Sequence, residues 1–577
     1  MALGAQTNLT VDIDDPIYLL IEMAEVKGLI SRVSQIHPYP VTQVKEYLET
    51  MNAKRGRLSS NEQRVLDEQL RRFGIIQQER EKSIWETGRL DIGGEQGTKM
   101  ENFPMTFRGA VNNITNAEIN AKAIQNVTIV EGSVEGDITS AFSYGFNLGF
   151  GASYLNDQAF APFAHKTFND GFALALSGGL RNSTDYEGFT VTFHFNPEMQ
   201  AQFFDNRLRL GFGRYSRNLG MGTSSLMVSD TARPYDALEL SFRPASWIHY
   251  YYSVGSLGNW FSQSDWLDPA TDDKTFAIDE KNITLQTLEL MPWDWLYGSF
   301  TTGAVWGKRM ELSYFNPLMP LLFAQNLYGD SDNLVMELSG SVQLPFGVKL
   351  YGTFFSDENQ LHKIKTLFTS TSQQFALQGG VKALIPGLGF TLATFQYTKL
   401  EPYVYTHYEQ KYPHSTPPVN TNWTNDRYNL GYYLPPNSDE FHFGIESMPV
   451  AGLQIYGSYR YIRHGYGNIA AGEIPGTVNS GGGFDDKYAY EAGTKKNFLK
   501  DGPYEKIHMA VIGAWYQFPN LPLNIGLQYS FSFAQNDGPQ STELGSEPAE
   551  NVKYWAYTPY SGFANAVSLS VHIYPEY

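Results

Sequence analysis

Apolar and polar residues alternate with a period of two through segments of about ten residues. Short Pro/Gly turns and long, polar, tyrosine-rich stretches take turns in joining these segments. In Ser341–Asp357, Val342 and Leu344 lead into Pro345-Phe346-Gly347, after which Val348, Leu350, Gly352 and Phe354 alternate with Lys349, Tyr351 and Thr353. That spelling predicts a hairpin with a tight turn. It recurs at Ala383–Thr394 around Pro386-Gly387, at Phe441–Tyr461 around Pro449-Val450-Ala451-Gly452, and at Ala510–Phe533 around Pro519-Asn520-Leu521-Pro522. The excursions Lys399–Asp439, Arg463–Lys506 and Ala534–Phe563 exceed the loops of a compact soluble domain.

The two flanks of each ribbon differ in kind. Phe142, Tyr144, Phe146, Leu148 and Phe150 share one face, with Ser143, Gly145, Asn147 and Gly149 on the other. Phe189–Phe195 repeats this with Thr190, Thr192 and His194 inward, and Asn524–Phe533 with Asn524, Gly526, Gln528, Ser530 and Ser532 inward. One flank suits lipid and the other water, as in a transmembrane barrel. At the C-terminus Val567, Leu569, Val571 and Ile573 oppose Ser568, Ser570 and His572, and the chain ends on Tyr577. Such a closing strand fits an outer-membrane barrel, although Pro575 removes a ladder donor beside the seam. The predicted fold is an all-β transmembrane barrel of about 16 to 18 antiparallel strands with a small N-terminal α-helical domain. Residues 83–138 are expected to hold a connector and the first strands, and residues 139–577 the main body with long extracellular loops.

Residues 1–82 have another texture. Asp15-Pro16 opens a helix through Tyr18, Leu19, Ile21 and Val26 that weakens at Gly28. Val41–Met51 spells a second helix, and Ser59-Ser60-Asn61-Glu62 reads as a capping box before Val65, Leu66, Leu70 and Phe73. The expectation is a periplasmic three-helix bundle contacting one barrel mouth, with an ordinary soluble subdomain as the alternative and plugging of the lumen left open.

Composition narrows the picture. No uninterrupted apolar run reaches about 18 residues, which excludes a helical membrane protein; a mean hydropathy of −0.33 is compatible with a barrel whose inner face is polar. The 37 Tyr and 37 Phe among 577 residues suit interfacial girdles. The absence of cysteine excludes disulfides and thiol chemistry. A net charge of −18 argues against a nucleic-acid partner. Met1–Thr7 lacks the basic and apolar regions of a secretory signal, so the chain is expected to be a mature, exported form located in the bacterial outer membrane.

No catalytic, metal or cofactor constellation is legible. His194, His407, His414, His464 and His572 have no readable nucleophile or carboxylate partner, and Asp330-Ser331-Asp332 lacks calcium-loop spacing. Gly211-Phe212-Gly213-Arg214 sits in a strand period and opens no helix. Arg209, Lys349 and Arg460 fall on inward parity. They form either a basic lumen wall for an anionic solute or one side of a lumen ion-pair network. The loops gather Tyr405, Tyr408, Trp423 and Arg427 with several Asn, and then Lys553 and Trp555. Aromatic faces beside paired donors and acceptors are the chemistry of sugar recognition; the same rings would also serve simply to fold the loops over the mouth.

Two stretches carry a family resemblance. Gly211–Pro244, reading GFGRYSRNLGMGTSSLMVSDTARPYDALELSFRP, and Gly307–Asp357, containing KRMELSYFNPLMPLLFAQNLYGDSDNLVMELSG and LYGTFFSDE, resemble the Wzi family of capsule-assembly outer-membrane proteins. DPIYLLIEMAEVKGLI with PYPVTQVKEYLETM resembles that family's helical opening. The resemblance implies a barrel of about 18 strands with periplasmic helices and an occluded mouth. It also implies a non-enzymatic, lectin-like role in binding or organising surface or capsular polysaccharide. No site residue is carried over. Outer-membrane lipid and a protein partner docking on the N-terminal helices are further expected contacts. The rival readings are a diffusion channel or transporter for small anionic solutes, and a structural subunit of an outer-membrane complex.

Overall fold

The computed structural model describes residues 8–76, 89–92, 103–119, 123–155, 172–175, 179–180, 188–258, 281–307, 310–327, 332–357, 365–370, 373–407, 421–425, 428–465, 496–499, 504–518, 521–536 and 562–573. Three helices come first: α1 Ile17–Val26, α2 Val41–Ala53 and α3 Ser60–Arg72. The capping box at α3 forms as spelled. The Ser59 hydroxyl accepts from the Glu62 amide at 3.4 Å, and the Ser59 amide donates to the Glu62 carboxylate at 2.8 Å, which satisfies amides that the helix itself leaves orphaned.

The barrel strands follow. They are β1 Phe103–Glu118, β2 Ala123–Thr139, β3 Phe142–Leu155, β4 Gly188–Phe203, β5 Leu208–Tyr215 and β6 Tyr235–Ala245. Then come β7 Ile248–Leu257, β8 Lys281–Trp293, β9 Leu296–Gly307, β10 Asn333–Leu344, β11 Val348–Ser356 and β12 Phe375–Leu384. The last are β13 Phe390–Leu400, β14 Ser438–Val450, β15 Leu453–Gly465, β16 Tyr504–Gln517, β17 Leu523–Asn536 and β18 Gly562–Ile573. These 18 strands close an antiparallel barrel, the upper end of the expected range. The seam pairs β18 with β1, Ile573 opposite Val111 and Ala566 opposite Glu118, so no edge is left open to lipid.

The predicted tight turns lie at one end. Between β10 and β11, where Leu344 faces Val348 across the three-residue loop Pro345-Phe346-Gly347, Phe346 and Gly347 adopt positive φ of 70° and 74°. The stacked rings of Trp293 and Trp295, 5.6 Å apart, stand at the same end, with Trp247 and Tyr516 also exposed. The first barrel strand begins at Phe103, inside the stretch expected to hold a connector and the first strands. The period is hidden there because Asn113, Thr115, Asn126 and Thr128 share the outward parity of Val111 and Val130. They satisfy one another instead of being apolar: Asn113 Nδ2 donates to Thr128 Oγ1 and Asn126 Nδ2 to Thr115 Oγ1, both at 2.7 Å.

The outward face elsewhere is greasy as expected: Phe150, Leu210, Leu238, Phe300, Leu338 and Leu527 are exposed there. The inward face is not uniformly hydrophilic. Ser530 and Ser532 on β17 follow the expectation, but Ile283, Leu285, Val305, Val335 and Phe355 point inward and are wholly buried. They are apolar because the lumen is filled with protein over those strands.

Candidate functional site

Two structures fill the lumen. At the tight-turn end sit α1–α3, with a core of their own: Ile17, Leu20, Met23, Val44, Leu48 and Leu66 are fully buried. Phe390, Leu392 and Met448 of the wall join that core. Polar ties fix the bundle in place. Lys349 Nζ meets Glu25 at 2.6 Å and Lys382 pairs with Glu22. The Gln343 amide donates to the Val26 carbonyl at 2.6 Å, and the Gly452 amide to Glu68 at 2.8 Å.

Nearer the long-loop end, segment 216–233 leaves β5 and turns into the lumen, where segments 401–407, 421–425 and 428–437 meet it. The Tyr405 hydroxyl donates to the Leu226 carbonyl at 2.8 Å, and Trp423 Nε1 to the Met227 carbonyl at 2.6 Å. From the wall, Gln378 Nε2 donates to Ser224 O at 2.9 Å and the Thr223 amide donates to Gln396 Oε1 at 3.0 Å. Gly303 of β9 has no alternative: a Cβ there would lie 2.5 Å from Trp423 Cη2. The two fillings touch through a two-residue antiparallel ladder, Ile36 opposite Leu219 and His37 opposite Asn218.

The sequence-derived candidates fall into three groups. Tyr405 and Trp423 are brought together, but both are fully buried. Their faces are spent on packing and offer no surface to a sugar in this arrangement; the bland alternative, rings that fold the mouth, describes them. Tyr408, Arg427, Lys553 and Trp555 lie outside the described residues. Arg209, Lys349 and Arg460 do point inward, yet each faces a carboxylate: Arg209 Nη2 lies 3.8 Å from Glu239, Lys349 as above, and Arg460 Nε 3.5 Å from Glu440. The ion-pair alternative therefore fits these three better than a free basic wall.

Two nodes escaped the sequence reading. Glu239 gathers Arg217 Nε at 2.6 Å, Tyr251 at 2.9 Å and Tyr215 at 2.6 Å, clamping the root of segment 216–233. At the other end Ser241 Oγ lies 2.7 Å from His249 Nε2, and His249 Nδ1 lies 2.6 Å from Glu289. These are the distances of a nucleophile–base–carboxylate relay. All three groups are buried, however, and Glu289 also accepts from Ser34 Oγ, the Gln35 amide and the Tyr297 hydroxyl at 2.7–2.8 Å. The array ties the plug to the wall. Inward parity near the turn joining β6 to β7 was the available signal, since His249 directly faces Glu289 across the ladder.

No family model matches the chain, and no curated protein does. Among solved structures, the chain is similar to Wzi of Escherichia coli, described as an outer-membrane protein involved in group 1 capsule assembly and as a carbohydrate-binding β-barrel. Identity is 12%, the TM-score 0.55, and the match covers 98% of this chain and 99% of that one. It is similar at lower scores to OccAB2 of Acinetobacter baumannii, with 10% identity, TM-score 0.42 and coverage of 82% and 97%. The same holds for OccK3 (OpdO) of Pseudomonas aeruginosa, with 9% identity, TM-score 0.40 and coverage of 82% and 96%. The chain shares the fold of Wzi along nearly its whole length, helices included.

Proposed function

We propose that this protein is a non-conducting outer-membrane barrel that binds surface or capsular polysaccharide at its long-loop end. The observation that carries the reading is the doubly filled lumen. A diffusion channel needs a continuous aqueous path, whereas here apolar wall residues such as Leu285, Val335 and Phe355 are buried against Trp423, Tyr405 and Leu430. The likeness to a carbohydrate-binding barrel supports the same reading. With Tyr405 and Trp423 inside the mouth, contact with sugar falls to Tyr408 and Trp555 as stacking faces and to Arg427 and Lys553 as partners of acidic groups. Each ring adds about 0.5–1.5 kcal/mol beyond area burial, so affinity comes from repeated contacts along a polymer.

The test combines two measurements. Purified protein in planar bilayers is expected to be silent, and to retain glycan from the producing cell's surface. The variant Tyr408→Ala/Arg427→Gln/Lys553→Gln/Trp555→Ala is expected to lose that retention while keeping the heat-modifiable migration of a folded barrel. Stable ohmic steps, or retention equal to that of the parent, would overturn the proposal. Trp423→Ala is a poor probe of binding, because it empties the mouth core.

A further inference from the structure

Between β9 and β10, residues 310–327 lie against the outside of the barrel. A 3-10 turn, Leu312–Phe315, and a short helix, Leu321–Leu327, pack on Tyr252, Val254, Ala304 and Trp306. Parity fixes the side. Tyr251, Ile283, Leu285 and Val305 belong to the core inside the lumen, so Tyr250, Tyr252, Thr284, Gln286, Ala304 and Trp306, which alternate with them, face out.

Two anomalies meet at this place. Outward positions of a membrane barrel are ordinarily apolar, yet β7 and β8 carry outward Tyr250, Tyr252, Thr284 and Gln286. Irregular backbone is ordinarily excluded from hydrocarbon unless its polar groups are satisfied, yet residues 310–327 hold only a short 3-10 turn and a short helix. Each anomaly answers the other. The Tyr250 hydroxyl donates to the Pro317 carbonyl and the Tyr252 hydroxyl to the Tyr314 carbonyl. Gln286 Nε2 donates to the Met319 carbonyl at 2.8 Å. Trp306 Nε1 donates to Thr284 Oγ1 at 3.1 Å, and its ring stacks on Tyr314 at 5.1 Å. Pro317 and Pro320 carry no amide hydrogen to satisfy.

We propose that residues 312–327 form an intramembrane hook whose outer face is solvated by the acyl chains of the bilayer. No charged side chain occurs from Leu312 to Gly329. Leu312, Leu318, Leu322, Phe323 and Leu327 are exposed, Leu318 to 86%. In water this would be a large apolar patch on a short segment. In lipid it extends the belt that Leu238, Leu288 and Phe300 present on neighbouring strands. Acyl chains are the occupant because the patch is continuous with that belt, and the charges nearest in sequence, Lys308, Arg309, Glu311 and Asp330, stand beyond its two ends and not within it.

The natural chain has no cysteine, so single-cysteine variants labelled with bimane test the hook in phospholipid vesicles. Leu318→Cys reports the hook, Phe300→Cys the lipid belt and Phe346→Cys, at a turn tip 97% exposed, the aqueous side. Leu318→Cys is expected to behave like Phe300→Cys, losing emission to doxyl-labelled lipid and ignoring iodide. Iodide quenching equal to that of Phe346→Cys would overturn the hook. So would indifference to both quenchers together with cross-linked dimers, which would mean that a second copy covers the face. In a Gln286→Leu background, which removes the donor to Met319 O, the Leu318→Cys probe is expected to change its doxyl quenching while Phe300→Cys does not; an unchanged hook probe would overturn the role assigned to Gln286.

Discussion

The helices at the tight-turn end and the segments at the mouth close the same lumen with different materials. The helices bring a core of their own, joined by only a few wall residues, Phe390, Leu392 and Met448, and are tied to the wall by ion pairs, Lys349 to Glu25 and Lys382 to Glu22. The mouth segments have no separate core. Trp423, Tyr405, Leu430 and Leu434 pack with inward wall residues in one cluster. A preformed unit needs only positioning contacts from its surroundings, whereas irregular backbone needs the wall both for apolar burial and for hydrogen-bond partners such as Gln378 and Gln396. Perturbation of one filling should therefore leave the other largely in place, apart from their small shared ladder, the Gly220 amide on the Gln35 carbonyl, and Lys382, which pairs with Glu22 and also donates to the Met221 carbonyl at 2.7 Å.

The largest effect is expected from Trp423→Ala. Emptying a fully buried indole costs about 3–5 kcal/mol, and segments 216–233, 421–425 and 428–437 should become sensitive to protease while amide protection in α1–α3 stays high. Equal loss of protection in the helices would show the two fillings to be one cooperative unit. A smaller and opposite pattern is expected from Lys349→Met, which leaves Glu25 facing the wall without its partner at a cost of about 1–3 kcal/mol. Hydrogen exchange should then rise in α1 and not in the mouth.

The mildest perturbation is acid. Burial pushes the Glu22 carboxyl up, but Lys382 and Lys349 beside it pull it further down, leaving it below the ordinary carboxylate value. A depressed carboxylate contributes stability above about pH 4.3, and that contribution is lost as pH falls through the native value. Docking of α1 should weaken as pH falls below about 4.3, as read by exchange corrected for its intrinsic rate, and Glu22→Gln should flatten the response. A mouth that loosens over the same window would blur the contrast between the two fillings.

Local features were readable residue by residue. Ser59 and Glu62 announce α3 because a capping box needs only four consecutive residues. Phe346-Gly347 announces a hairpin because the turn demands positive φ where it stands. Val567 to Ile573 announces a strand because parity belongs to the backbone itself. The first two strands were obscured because Asn113 and Asn126 take lipid-facing positions and satisfy each other across the ladder, a compensation invisible in either strand alone. The glycan candidates suffered from the same blindness. Tyr405 and Trp423 look like exposed loop aromatics until the path of segment 216–233 brings Leu226 and Met227 onto them.

The amino-acid order alone determined the alternation, the turns, the helical opening and hence a closed membrane barrel, since each depends on contacts within a few residues or on period two. Only the tertiary structure decided what each flank faces. An inward Leu285 or Arg209 meets water in an open barrel and protein in a filled one. An outward Gln286 is a liability against lipid and an asset under residues 312–327. Those outcomes depend on where distant segments come to rest, and the order of residues within one strand does not encode its neighbour across the lumen or on the far side of the wall.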